Sequence, residues 1–112
     1  MGDLEKVAEE FKSSLNERFG TSGFYALCSK TGSRFNQKLA PRVRVGYNGV
    51  DKATVGSVAF WPDEVTVMGW SATGLRVSFE YDDPLLFDRV VAELEAVCVE
   101  WKVAWKLGLA DE

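Results

Sequence analysis

The 112-residue chain has no histidine, and only two cysteines, two methionines and three prolines. The missing imidazole excludes a Ser-His or Cys-His nucleophile pair and the commonest general base at neutral pH. Two thiolates alone cannot fill a tetrahedral zinc site, so no metal and no cofactor is expected. Cys28 and Cys98 lie far apart and neither belongs to a CxxC pair. Both are expected as free thiols that behave as small apolar groups in a reducing compartment. No run of about 18 apolar residues occurs, which excludes a membrane-spanning helix. The opening "MGDLEKVAEE" is acidic and amphipathic, unlike a secretory signal, and Lys6 stands where a myristoylation motif needs Ser or Thr. A cytoplasmic protein with a single domain over residues 1–112 is the expectation.

What is present is ordinary globular material, 46% hydrophobic and 27% charged. Its charge is unevenly spread. Residues 21–55 hold six bases and one acid, inside a chain whose formal net charge is −4. The molecule reads as a basic segment set among acidic ones.

Periodicity divides the chain into three parts. Leu4, Val7, Ala8, Phe11, Leu15 and Phe19 recur at three- and four-residue steps, an amphipathic helix that Asp3 can cap and Gly20 can end. From Phe24 the period becomes two. "FYALCS", the stretch Arg42–Tyr47, a segment within 52–61, "EVTVMGW" and "LRVSFEY" read as strands, with Asn48-Gly49 and Pro62-Asp63 as turns. After Asp83-Pro84, read as an N-cap and first helical residue, helical spacing runs through Trp105. The fold class is therefore α+β: an N-terminal helix, an antiparallel meander of four to six strands, and a long C-terminal helix, both helices on one sheet face. This element order is similar to that of frataxin-like and profilin-like folds, a likeness of architecture that carries no motif of either.

Short polar clusters are assigned no chemistry. "GTSG" at 20–23 follows a helix instead of opening one, and "GWSATG" around Ser71 has the wrong spacing for a nucleophile elbow. Asp63-Glu64 and Asp82-Asp83 occupy turn and cap positions that select acids for structural reasons. No catalytic residue is expected.

Two stretches point outward. In "RFNQKLAPRVRVGY", alternation places Arg34, Lys38, Arg42 and Arg44 on one side of an extended ribbon, a candidate anion-binding face for phosphate or nucleic acid. Nucleic acid is disfavoured, because Phe35 and Tyr47 fall on the opposite side by parity and base stacking wants aromatics beside the cations. The second stretch is the last helix. On a wheel of 100° per residue, Leu86, Phe87, Val90, Val91, Leu94, Val97, Cys98, Trp101 and Trp105 form the stripe that covers the sheet. Almost opposite lies another apolar line: Leu85, Ala92, Ala96, Val99 and Val103, with Leu107 at its margin. A helix on a monomer surface needs one apolar side only. The preferred reading is a small non-catalytic interaction module that binds a protein partner or forms a homodimer through Ala92, Ala96, Val99 and Val103. The basic face is the alternative. A small-ligand pocket between the long helix and the sheet, lined by some of the four tryptophans, is the second alternative.

Overall fold

The computed structural model describes residues 2–32, 39–50, 54–70 and 75–108. A helix, α1 (Gly2–Phe19), leads into strands β1 (Phe24–Gly32), β2 (Leu39–Tyr47), β3 (Gly56–Phe60), β4 (Val65–Met68) and β5 (Leu75–Phe79). A second helix, α2 (Leu86–Lys106), follows. The strands form one antiparallel sheet in the order β1-β2-β3-β4-β5, each pairing with its neighbours in sequence.

Register sorts the strand residues onto two faces. Ala26, Val43, Val45, Val58, Phe60, Val65 and Val67 share one face and are all buried. Both helices cover this face, α1 over β1 and β2, α2 over β3 and β4. Ala8, Phe11, Leu15 and Phe19 of α1 join Val90, Val91, Leu94, Val97, Cys98 and Trp101 of α2 in a single core. Each fully buried Val or Leu there stabilises the fold by roughly 1.5–3 kcal/mol. The opposite face has no helix on it. The small side chains of Ser57 and Ala59 lie between Arg44 and Arg42 of β2 and Met68 and Thr66 of β4, and these longer neighbours bury them. Trp61 closes one end over Ala40 and Ala59, its indole N–H donating to Thr66 Oγ1 at 3.0 Å.

Several local devices fix these elements. Gly20 ends α1 in the left-handed region, with φ of 51°. Asn16 reaches from α1 to the outer edge of β1. Its Nδ2 donates to the Ala26 carbonyl at 3.1 Å and its Oδ1 accepts from the Ala26 N–H at 2.8 Å. An edge strand exposes such groups, and the amide occupies them as a partner strand would. Pro41, which has no ladder donor, pairs with Lys30 on β1 but lies just beyond the β2–β3 pairing, which stops at Arg42 and Ala59.

Two boundaries differ from the expectation. The first strand runs on past "FYALCS", because Lys30, Thr31 and Gly32 pair with Pro41, Ala40 and Leu39. Asn48-Gly49 makes the expected tight turn, closed by the Tyr47–Val50 bridge, and β3 at Gly56–Phe60 falls within the expected stretch 52–61. Asp83 does not cap α2 directly: its Oδ1 accepts from the Leu85 N–H at 2.8 Å, and the helix begins at Leu86 without a side-chain cap. The turn absorbs Pro84 and shortens the helix to 21 residues, about 31 Å.

Candidate interaction surface

The outer line of α2 depends on how tightly the inner side seats. Gly56 of β3 lies under the helix, where a Cβ would stand 2.9 Å from Val97 Cγ1. A glycine here lets α2 approach the sheet closely. Farther along, Trp101 and Trp105 stack at 5.4 Å with an 8° angle, and Tyr47 packs against both. Ala104, which the sequence reading leaves out of the sheet-covering stripe, is also buried.

Two sets of ion pairs hold the flanks. Between β4 and β5 the register slips, from Val67 opposite Val77 to Met68 opposite Leu75. Arg76 is thus the extra residue of a bulge, which re-aims its side chain. Its guanidinium meets Glu100 Oε1 at 2.8 Å and Glu93 Oε1 at 3.2 Å. Its hydrogen bond to Glu100, and then that to Glu93, raises its pKa above the ordinary arginine value. On the other flank Arg18 of α1 pairs with Glu95 at 3.3 Å, and Lys102 lies 5.3 Å over the Tyr47 ring. Asp88 and Lys106 of the same row are exposed and have no ion-pair partner among the described residues.

Between these flanks the outer line is bare. Val99 is 65% exposed, Val103 55%, Leu85 50% and Leu107 68%. Ala92 is exposed and Ala96 half-buried. Four of the seven exposed large hydrophobic residues of the described chain thus fall on one line of one helix; the others are Val7, Leu27 and Phe87. The four residues Ala92, Ala96, Val99 and Val103 come together on this outward face.

The basic ribbon is only partly brought together. Arg34 and Lys38 lie outside the described residues. Arg42 and Arg44 stand two residues apart on the open sheet face, both half-buried. Arg42 Nε donates to Ser29 Oγ at 3.2 Å, and Arg44 Nη1 reaches Thr54 Oγ1 at 3.5 Å. Burial, and then repulsion from Arg44, lowers the Arg42 pKa. No residue of the five strands is acidic, while Lys30, Arg42, Arg44 and Arg76 are basic. Two neighbours on this face escape the sequence reading: Leu27, opposite Arg44 and 46% exposed, and Tyr25, whose ring lies over Gly46. Only the β1–β2 register reveals them, since neither carries a charge or a motif.

The tryptophans do not meet in one place. Trp61 is on the open face, Trp70 packs at the margin of the main core, and Trp101 and Trp105 fill the space against Tyr47. An apolar cleft of about 250 Å³ lies between the helices, with Val7, Phe11, Phe60, Leu86, Phe87 and Val90 in its walls and no tryptophan. Phe87, expected over the sheet, faces α1 instead, edge-on to Phe11 at 5.3 Å and 40% exposed. Both cysteines are free. Burial pushes the Cys98 thiol up to about 12, and burial with a hydrogen bond to Glu9 raises that of Cys28. Neither thiol has the electropositive setting that activates a nucleophile. No group of three His, Cys, Asp or Glu side chains among the described residues could hold a metal ion.

Comparison of the chain with protein-family models, with curated proteins and with solved structures finds no match.

Proposed function

We propose that this chain is a small non-catalytic interaction module that binds a second copy of itself through the outer face of α2, with Ala92, Ala96, Val99 and Val103 at the contact. One observation carries the reading: the exposed large apolar residues concentrate on a single line, with Val99 at 65% and Val103 at 55% exposure. Scattered exposed apolar residues need no explanation, whereas a contiguous line rimmed by charges marks a contact surface. Sedimentation equilibrium over a range of concentrations tests it. The wild type should be dimeric. Val99→Glu combined with Val103→Glu should weaken association about 100-fold or more, since two carboxylates would enter an apolar contact. Because both residues face outward, the variant should match the melting temperature of the wild type diluted until it is monomeric. A wild type that stays monomeric refutes self-association.

Arg42 favours a second reading, contact with an oxyanion on the open sheet face. Its guanidinium is half-buried, repelled by Arg44, and hydrogen-bonded through Nε to a neutral hydroxyl. Phosphate titrated against wild type and Arg42→Glu would show salt-sensitive binding in the first and none in the second. Binding indifferent to salt or to the reversal removes this reading.

A further inference from the structure

The charges beside the outer line of α2 and the sizes of the residues along it select the same orientation for the second copy. We propose that two copies pair α2 against α2 in antiparallel fashion, about a two-fold axis that crosses the helix at the level of Val97 and Cys98. The proposal rests on the reading of the outer face given above.

In an antiparallel pair related by a two-fold axis, each flanking row meets its own copy running the other way. The row of Asp88, Glu95, Lys102 and Lys106 is acidic in its first half and basic in its second. Antiparallel pairing therefore places Asp88 of one copy beside Lys106 of the other, twice per dimer. These are the two members of the row left with neither an ion pair nor a ring contact among the described residues; Glu95 is held by Arg18 and Lys102 lies on Tyr47. The opposite row brings Glu93 of one copy near Glu100 of the other, a repulsion that the single charge of Arg76, paired with both carboxylates, halves.

Residue size gives the same register independently. The alanines, Ala92 and Ala96, occupy the first half of the line and the valines, Val99 and Val103, the second. With Asp88 beside Lys106, Ala96 lies opposite Val99 and Ala92 opposite Val103. Large then meets small at every step, as close helix packing at about 8–10 Å between axes requires. A parallel pair would set alanine on alanine and valine on valine, and would turn the Asp88 row toward the row of Arg89, Glu93 and Glu100, so that Asp88 and Lys106 never meet. It fails on both counts.

Charge exchange tests the orientation in the full chain. Asp88→Lys and Lys106→Asp should each raise the dimer dissociation constant about tenfold, through two exposed pairs turned from attraction to repulsion. The double variant Asp88→Lys plus Lys106→Asp should restore wild-type affinity. Melting temperatures of the dilute, monomeric variants should fall by no more than the few degrees that a reversed charge at a helix end costs, which separates association from folding. If the single variants associate normally, or the double variant fails to recover, the antiparallel register is overturned. If Val99→Glu plus Val103→Glu still abolishes the dimer in that case, the outer-face reading survives alone. A dimer indifferent to that double substitution overturns both.

Discussion

Replacing Gly56 by alanine tests the seat of α2 directly. Glycine to alanine in an extended strand ordinarily stabilises a protein by about 0.4–1 kcal/mol, because the unfolded chain loses freedom. Gly56 does not have the positive φ that would forbid an alanine. The added methyl, however, would stand 2.9 Å from Val97 Cγ1 and 3.0 Å from the Met68 carbonyl oxygen. Val97 is fully buried and the carbonyl belongs to the neighbouring strand, so neither yields freely. Overpacking of this kind costs roughly 1–3 kcal/mol, which exceeds the entropic gain. The net expectation is a loss of about 1–2 kcal/mol. For a chain of 112 residues each kcal/mol corresponds to about 4 °C in melting temperature, from an unfolding entropy of roughly 2.1 cal/mol/K per residue. Urea denaturation followed by circular dichroism should show a lower midpoint at unchanged slope. In a double-mutant cycle, Val97→Ala should cost less in the Gly56→Ala background than in the wild type, since the new methyl occupies the vacated space. A raised melting temperature for Gly56→Ala, or an equal cost of Val97→Ala in both backgrounds, would refute the argument that helix and sheet meet across this glycine.

Asn16→Ala should lower stability by about 1–2 kcal/mol, because it leaves both polar groups of Ala26 without their partner. Hydrogen exchange at the Ala26 amide is the specific readout, and unchanged protection there would contradict the edge-capping role. At high pH, Tyr81 and Cys98 set the stability profile. The Tyr81 hydroxyl donates to the Trp61 carbonyl at 2.6 Å, and burial, then the Asp63 charge, raises its pKa from 10.0 to about 12; Cys98 rises from 9.0 to about 12. Both folded values exceed the unfolded ones, so the folded state keeps its protons longer. The stabilisation is full below about pH 9 and declines as the pH rises toward 12. Tyr81→Phe plus Cys98→Ala should flatten that decline, and an unaltered pH profile in the double variant would count against these assignments.

The helices, the strands and their common sheet face are legible in the sequence because they follow from repeat distances of 3.6 and two. Leu15, Leu94 and Val45 fall on the faces that periodicity assigns to them, and all are buried. The second apolar line of α2 is legible for the same reason, since a wheel needs no tertiary information. What escapes depends on register. Arg76 reads as an outward residue of a plain strand, and only the slip between Val67 and Met68 turns it toward Glu93 and Glu100. Asp83-Pro84 carries the right composition for a helix start, but a preceding turn consumes both residues. The pairing that carries β1 through Lys30 and Thr31 comes from Pro41 and Ala40 across the sheet, beyond the reach of local turn signals. Of the basic ribbon, the parity of Arg42 and Arg44 is readable, whereas the shelter each receives from its neighbours is not.

Because every strand joins only the one before it in sequence, the sheet can assemble in step with translation, each hairpin adding to an existing edge. The cover arrives in two instalments. The first helix is available at once to shelter β1 and β2, but the apolar side of β3 and β4 waits for α2, which follows all five strands in the chain. For that interval the nascent chain leaves Val58, Val65 and Val67 without their second helix, while Phe60 already has Phe11 of α1 beside it. A stalled or truncated product lacking α2 is accordingly the form of this protein most exposed to chaperone capture.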